Sequence, residues 1–423
     1  MRPGLRRVAA AALAACVGTA RAGELGDLLR GALDHPAIAA QRSRTSAADH
    51  QVEAASARYF GAGSASADDA TYEGDRFLGV LSPAGFANPS FARNQFRFGA
   101  SYTLPVDLFG VIAANRESAK QDLAAAELTL RQETLLKLHE TLTAYVQLQA
   151  LETQGFAIGM QQQHIAAMVD RVTAQVNTGE LGTTDLKLAQ SELAHVEAER
   201  VRLDGEREQA LAVLEEASGR RQLPSKAAIS VPAWHVGDAK EALPVRIAQA
   251  GEQASEAQAR AERRALWPSL SAGADYYQYQ GGGHDQDTWS VGARVSLPLD
   301  IGAFRKTSGA DALAAAARDT ATATQRKARS QLAALRASYD AAVANVRALG
   351  TELDYRQQVV AVQEELTKVG AQTVEDSLRH ERDRVEAEAR LAQARAQALE
   401  AWSAAQVLSG LAPETYISEL EAL

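Results

Sequence analysis

Two segments of this chain, about half its length apart, are close copies of each other. The first is Phe96-Arg97-Phe98-Gly99-Ala100-Ser101-Tyr102-Thr103-Leu104-Pro105-Val106-Asp107. The second is Trp289-Ser290-Val291-Gly292-Ala293-Arg294-Val295-Ser296-Leu297-Pro298-Leu299-Asp300. They share Gly-Ala in the middle, Leu-Pro near the end and Asp two residues after the Pro. Self-similarity of this kind marks a duplicated unit, and the spacing is too long for a solenoid repeat. The chain therefore reads as two large, related halves.

Both copies alternate. Phe96, Phe98, Ala100, Tyr102 and Leu104 fall on one face of a strand, opposite Arg97, Gly99, Ser101 and Thr103. Trp289, Val291, Ala293, Val295 and Leu297 repeat the pattern opposite Ser290, Gly292, Arg294 and Ser296. A strand of about ten residues with aromatics near its end suits a membrane barrel with lipid outside and water inside. The same alternation also fits an amphipathic strand of a soluble sheet, so the surrounding sequence has to decide.

Residues 1–22 read as an export signal. Arg2, Arg6 and Arg7 precede a short apolar stretch, Val8 to Val17, and Ala20-Arg21-Ala22 forms an A-x-A cleavage site before Gly23. The only cysteine, Cys16, lies in this segment. Cleavage after Ala22 leaves a mature chain without cysteine, and this is the favoured reading. The alternative takes Leu13-Ala14-Ala15-Cys16 as a lipoprotein signal with Cys16 acylated. Either way the protein is exported, and it must be stabilised by packing or oligomerisation rather than by a disulfide. Beyond the signal no apolar run of about 18 residues occurs, so membrane residence requires a barrel.

The rest of the chain is dominated by helix. Composition agrees: 46% of the 423 residues are hydrophobic but only 5% aromatic, the signature of closely packed, Ala-rich helices. The net charge of -9 argues against nucleic acid as a partner. From about Leu25 to Ala57 the pattern is helical, interrupted at His35-Pro36. A weak strand is expected over Gly61 to Ala67, then a loop over Tyr72 to Asn94, then the first alternating strand. After Pro105 nothing breaks the helical pattern strongly before Gly179, and Leu128, Leu135 and Leu142, with Leu138 and Tyr145, form a heptad seam. Such a helix reaches on the order of 100 Å. Gly155 and Gly159 are candidates for a joint within it. Thr178-Gly179-Glu180-Leu181-Gly182 reverses the chain, Thr183-Thr184-Asp185 supplies capping residues, and a return helix ends at Ser218-Gly219.

The order then repeats. Residues 23–219 form the first repeat, 220–238 a linker carrying Pro224, Pro232 and Trp234, 239–411 the second repeat and 412–423 a C-terminal tail. In the second half a helix runs from about Ala239 to Leu266. Pro268 opens a strand, Gly281-Gly282-Gly283 turns it, and a long helix follows from about Ala303 to Val369. Its seam is Leu332, Tyr339, Val346, Leu353 and Val360, with Leu335, Ala342 and Leu349 between them. Gly370 breaks it, and a return helix from Val374 ends at Ser409-Gly410. The expected fold class is mostly α with a small β contribution: long antiparallel coiled-coil-like helices plus four strands per chain. Four strands cannot close a barrel, since about eight is the practical minimum. Open edges are hazardous, so chains must share one, and three chains supply twelve strands.

With these features in place, the sequence resembles the TolC-type outer-membrane efflux protein family (outer membrane factors) over essentially the whole mature chain. Leu104-Pro105-Val106-Asp107-Leu108-Phe109-Gly110 and Leu297-Pro298-Leu299-Asp300 are similar to the family's strand-to-helix signature. Thr178 to Leu186 and Val369-Gly370-Ala371-Gln372-Thr373-Val374-Glu375-Asp376 are similar to its hairpin tips. The resemblance implies a homotrimer whose strands form one twelve-stranded barrel in outer-membrane lipid of a Gram-negative bacterium. Its helices would form an α-barrel across the periplasm. It also implies a passive exit duct for efflux or type I secretion, docked through a periplasmic adaptor (a membrane fusion protein) onto an inner-membrane pump of RND, ABC or MFS type. Departures are visible. The first strand lacks a counterpart of Pro268. Gln372 stands where members can carry an Arg of the closed tip, and Arg379 stands where some carry a second Asp.

The candidate site residues follow. Asp185 and Asp376, just after the two tips, are candidates for an acidic pore constriction; first-turn helix capping also explains them, Asp185 above all, and the two roles are compatible. Gly179, Glu180, Leu181, Gly182, Gly370, Ala371 and Gln372 are candidate adaptor-docking tips, the glycines serving turn geometry. Pro105, Asp107, Pro298 and Asp300 mark the strand-to-helix corners, where proline ends the strand. Trp267 and Trp289 flank strands and suit an interfacial belt or ordinary packing. His139-Glu140 lacks a second His at metalloprotease spacing, and no zinc cluster, phosphate loop or nucleophile–base set is present. No cofactor and no catalytic role are expected. The competing function is a soluble periplasmic coiled-coil scaffold, which accounts for the heptads but not for the strands.

Overall fold

The computed structural model describes residues 24–80, 89–225, 228–368 and 373–423. Helix α1 covers 24–32, and α2 covers Pro36–Ala57, with Pro36 at its first turn, where a missing N–H costs nothing. Strands β1 (Ala62–Phe77) and β2 (Phe91–Val106) follow, then the 68-residue α3 (Val111–Thr178) and the return helix α4 (Thr183–Ser218). After the connecting segment come α5 (Leu243–Arg264), β3 (Ser269–Gly281), β4 (His284–Ser296), the 68-residue α6 (Ile301–Lys368) and α7 (Val374–Ser409). A last helix, α8 (Pro413–Glu421), closes the chain.

The described residues form two compact units, each drawn from both halves of the chain. One takes those within Met1–Arg42, Leu128–Val245 and Gln325–Leu423; the other takes Ser43–Glu127 and Arg246–Thr324. The first is entirely helical apart from its connections. The second holds the sheet.

In the helical unit the first heptad seam is the core. Leu135, Leu138 and Leu142 are fully buried and Tyr145 nearly so. They pack with Leu28 and Leu29 of α1, Leu214 of α4 and Trp402 of α7. Truncating one such leucine to Ala costs about 2–5 kcal/mol. A second cluster continues the seven-residue spacing further along the hairpins: Ile158, Ile165 and Val172 of α3, Val196 and Leu203 of α4, Leu378 and Val385 of α7. The α6 seam is shallower. Tyr339 and Ala342 are buried, but Leu332, Leu335, Val346, Leu349, Leu353 and Val360 stay half-buried within one chain. No joint forms at Gly155 or Gly159; α3 is continuous through both.

One expectation is corrected, and two connecting segments carry structure that composition did not show. The stretch from Tyr72 to Asn94 is not all loop: β1 continues to Phe77 and β2 already begins at Phe91. Its residues lack alternation, and pairing to β2, with a register shift between Thr71 and Arg76, holds them extended. The tail 412–423 is a helix that buries Tyr416, Ile417 and Leu420. The linker is also packed. Tyr339 donates to Pro232 O (2.6 Å), Gln406 Nε2 donates to His235 O (3.2 Å), and Trp234 lies against the Tyr339 ring at 5.2 Å with the Arg336 guanidinium 5.2 Å over it.

The tail helix is held by a buried polar chain. His139 Nδ1 of α3 lies 2.8 Å from Ser403 Oγ of α7, and that hydroxyl also bonds the Tyr416 hydroxyl of α8. Trp402 stacks on the Tyr416 ring with centroids 5.6 Å apart. Burial pushes the His139 pKa below the ordinary histidine value, against a smaller upward pull from Glu140. The folded state therefore prefers neutral imidazole. As pH falls below about 6.5 the unfolded chain takes up this proton first, so stability present at neutral pH is lost on acidification until the lower folded pKa is passed. Thermal unfolding in detergent should show a smaller acid-induced drop in Tm for His139→Asn than for the native chain. An equal drop would remove His139 from the account.

Candidate functional site

The four strands form one antiparallel sheet in the order β1-β2-β3-β4. Paired residues point to the same side, so the register defines two faces. Across β2 and β3 it matches Leu104 with Ala272, Tyr102 with Ala274 and Ala100 with Tyr276. Across β3 and β4 it matches Tyr276 with Trp289, Ala274 with Val291, Ala272 with Ala293 and Leu270 with Val295. Every one of these residues except Tyr102 and Tyr276 is purely apolar or Trp, and most are open: Trp289 is 74% exposed, Val291 72% and Val295 71%. From Ala100 to Val106, opposite Tyr276 to Leu270, the band is roughly 20 Å along the strand, the order found in outer-membrane barrels. It ends at Gln278 and Gln280, which pair with Asp287 and Asp285.

The other face is polar. Arg97 pairs with Asp68 at 2.8 Å, Ser64 and Ser101 hydroxyls are 2.7 Å apart, and Ser290 donates to Asp275 at 3.3 Å. Gly282 and Gly283, with φ of 59° and 79°, make the two-residue turn between β3 and β4, the backbone that hairpin twist requires.

At the corners the two prolines differ. Pro298 lies two residues beyond β4. Pro105 is still inside β2, paired with Ser271, and the strand ends at Val106; the expectation that it terminates the strand is corrected. Its lack of an N–H is tolerated near a strand end. The aspartates are the helix starts. Asp107 accepts from the N–H groups of Ile112 (3.2 Å) and Ala113 (2.9 Å), and Asp300 accepts from Gly302 (2.8 Å). Each satisfies donors that an α-helix leaves open at its first turn. Trp267 stacks on Phe109 at 5.4 Å beside this corner, at the opposite end of the apolar band from Trp289.

At the first tip, Gly179 has φ +80°. Its N–H bonds Val176 O (3.1 Å) and the Glu180 N–H bonds Gln175 O (2.9 Å), the pair of bonds that closes a helix on a left-handed residue. Gly182 does not need that freedom: its φ is -82° and it serves as N-cap of α4. Leu181 is half-buried against the second apolar cluster. Asp185 turns back to accept from Gly182 N–H at 3.2 Å. At the second tip Asp376 holds the same position: Thr373 Oγ1 accepts from its N–H (3.2 Å) and donates to its carboxylate (2.7 Å). Arg379, read as a departure, pairs with Asp376 at 3.0 Å. Asp185 therefore closes a capping box, whereas at the second tip Thr373 is the cap and Asp376 holds its hydroxyl. Gly370, Ala371, Gln372 and Cys16 lie outside the described residues.

Sequence reading missed the ion pairs that tie the hairpins. Arg382 of α7 reaches Glu192 of α4 (2.7 Å), Arg356 of α6 reaches Asp383 of α7 (2.7 Å), and Arg207 of α4 reaches Glu152 of α3 (2.6 Å). Only the i,i+3 and i,i+4 pairs could have been found from spacing. Among the described residues, no cluster of His, Cys, Asp or Glu is arranged for a metal, and no helix is long and apolar enough to cross a membrane.

Comparison with known structures supports this reading of the fold. VceC of Vibrio cholerae, an outer membrane protein, superposes with a TM-score of 0.77 at 18% identity, covering 92% of this chain and 96% of that one. The outer membrane channel CmeC of Campylobacter jejuni gives 0.75 at 14% identity, covering 95% and 89%. The open state of the MtrE outer membrane channel of Neisseria gonorrhoeae gives 0.71 at 16% identity, covering 91% and 88%. No curated protein sequence matches the chain. A family model described as outer membrane efflux protein matches residues 31–220 and 240–411, and the chain accordingly belongs to the outer membrane efflux protein family of TolC-type channels.

Proposed function

We propose that this outer membrane efflux channel is the passive exit duct of a tripartite export system. Family membership implies a trimeric channel. In this reading three copies join β4 of one to β1 of the next and complete twelve strands. The observation that carries it is the sheet itself, which has two open edges and one exposed apolar face. The half-buried α6 seam supports further helix contacts between copies. Residues 23–219 and 239–411 are read as a duplication joined by 220–238, with the export signal over 1–22.

The tips, Gly179 to Gly182 and Gly370 to Gln372, are assigned to a periplasmic adaptor that couples the duct to an inner-membrane pump of RND, ABC or MFS type. Energy comes from the pump, and the pump selects the cargo. The soluble scaffold reading leaves the apolar sheet face unexplained.

Two predictions follow from the faces and the tips. Val291→Arg places a charge on the lipid side and should cost about 2–4 kcal/mol of barrel stability, whereas Ser290→Arg, one residue away on the polar side, should assemble normally. Outer-membrane yield of folded channel measures both; equal tolerance would reject the orientation. For the tips, Asp185→Asn with Asp376→Asn keeps a side-chain acceptor for the cap and removes the charge. The cation-over-anion permeability ratio in planar bilayers should fall. An unchanged ratio would leave these aspartates with their roles at the caps alone.

A further inference from the structure

The feet of the two central strands enclose a cavity of about 240 Å³ lined by Val106, Phe109, Ile112, Arg264, Trp267 and Leu270, among others. Its chemistry is amphipathic. Trp267, 59% exposed, and Phe109, 40% exposed, form a stacked aromatic floor. Val106 and Leu270 are paired partners at the end of the apolar sheet face, so the cavity continues the membrane-facing band. At the rim, Arg264 is exposed, and its Nη1 is fixed by donation to Gly110 O at 3.0 Å. Asp107, the acidic group in the wall, has its carboxylate engaged by the amides of Ile112 and Ala113 and by the Tyr59 hydroxyl (3.5 Å).

A larger cavity of about 640 Å³ shares Val111 and Ala265 in its wall and adds exposed Arg58, together with Lys306, which pairs with Glu262 at 2.8 Å. Cationic side chains thus stand where the apolar band gives way to the helices. The cavity sits at β2 and β3, while the strands with open edges are β1 and β4. Barrel closure through those edges adds no strand at this cavity.

We propose that this corner seats one anionic glycerophospholipid of the leaflet that meets the helices. The acyl shoulder lies on Trp267 and Phe109, and the headgroup phosphate lies on Arg264. Aromatic rings favour this interfacial depth, and guanidinium recognises phosphate through its donor fork. A free phosphate would have no use for the aromatic floor. The proposal rests on the outer-membrane placement and goes beyond the channel's transport role.

The test uses the full-length channel purified in detergent, with phospholipid counted by native mass spectrometry and phosphate analysis. The native chain should retain about one phospholipid per chain, enriched in phosphatidylglycerol over phosphatidylethanolamine when both are offered equally. Trp267→Ala should lose the retained lipid. Arg264→Gln should cut the preference for phosphatidylglycerol by about fivefold, and Arg264→Lys, which keeps the charge but not the fork, should restore only part of it. Inorganic phosphate in excess should not displace the lipid. Particle mass and conductance are measured on the same samples. A conducting trimer that retains no phospholipid refutes the seat while leaving the channel intact. Equal retention by the Trp267 and Arg264 variants, without loss of preference, refutes it as well. If Trp267→Ala fails to assemble, the headgroup preference of Arg264→Gln still decides the question.

Discussion

The organising constraint is the unpaired backbone along β1 and β4. A sheet of four strands with one apolar face belongs against hydrocarbon, yet each outer edge presents a row of N–H and C=O groups that lipid cannot satisfy. In water the same edges invite aggregation. One chain has no solution to this, because four strands are too few to curl into a barrel. Completion by further copies satisfies edge and face together, which is why oligomerisation is part of the fold rather than an addition to it. The polar side of the sheet, with its Asp68–Arg97 pair and Ser-rich strands, then has a natural place facing water.

The helices answer a different demand. Two elements of 68 residues each cannot stand alone, since isolated helices draw their stability from packing of an apolar stripe rather than from propensity. Here the stripe is repeated every seven residues, and α4 and α7 return alongside to cover it. Both return helices begin with the same device, an acidic side chain three residues into the helix folded back on the cap. Both tips thereby place a carboxylate at a helix start for structural reasons, and any role in a pore is built on a position the fold already requires.

Much of this was legible in the sequence because it is local. The corner at Leu297-Pro298, the seams at Leu135 and Leu142, the turn at Gly179 and the return helices ending at Ser218 and Ser409 all follow from periodicity and cap chemistry within a few residues. What was not legible depends on partners far away in the chain. The second half of β1 has no alternation and is strand only because β2 pairs with it. The tail is helical and buried because Tyr416 finds Ser403 and Trp402. The connecting segment with Trp234 reads as a linker by composition but is clamped by Tyr339 and Gln406. Gly182 looked like a turn glycine and is an ordinary cap. The Arg382–Glu192 pair spans 190 positions, beyond any spacing rule.

The measurement that tests the central claim most directly is the mass of the detergent-extracted particle from outer membranes, corrected for bound detergent. The account predicts a particle of about three chains, which is what twelve strands in one barrel demand. A monomer, or a chain that stays dispersed in water without detergent, would contradict it, because the open sheet edges would then have to be satisfied in some other way.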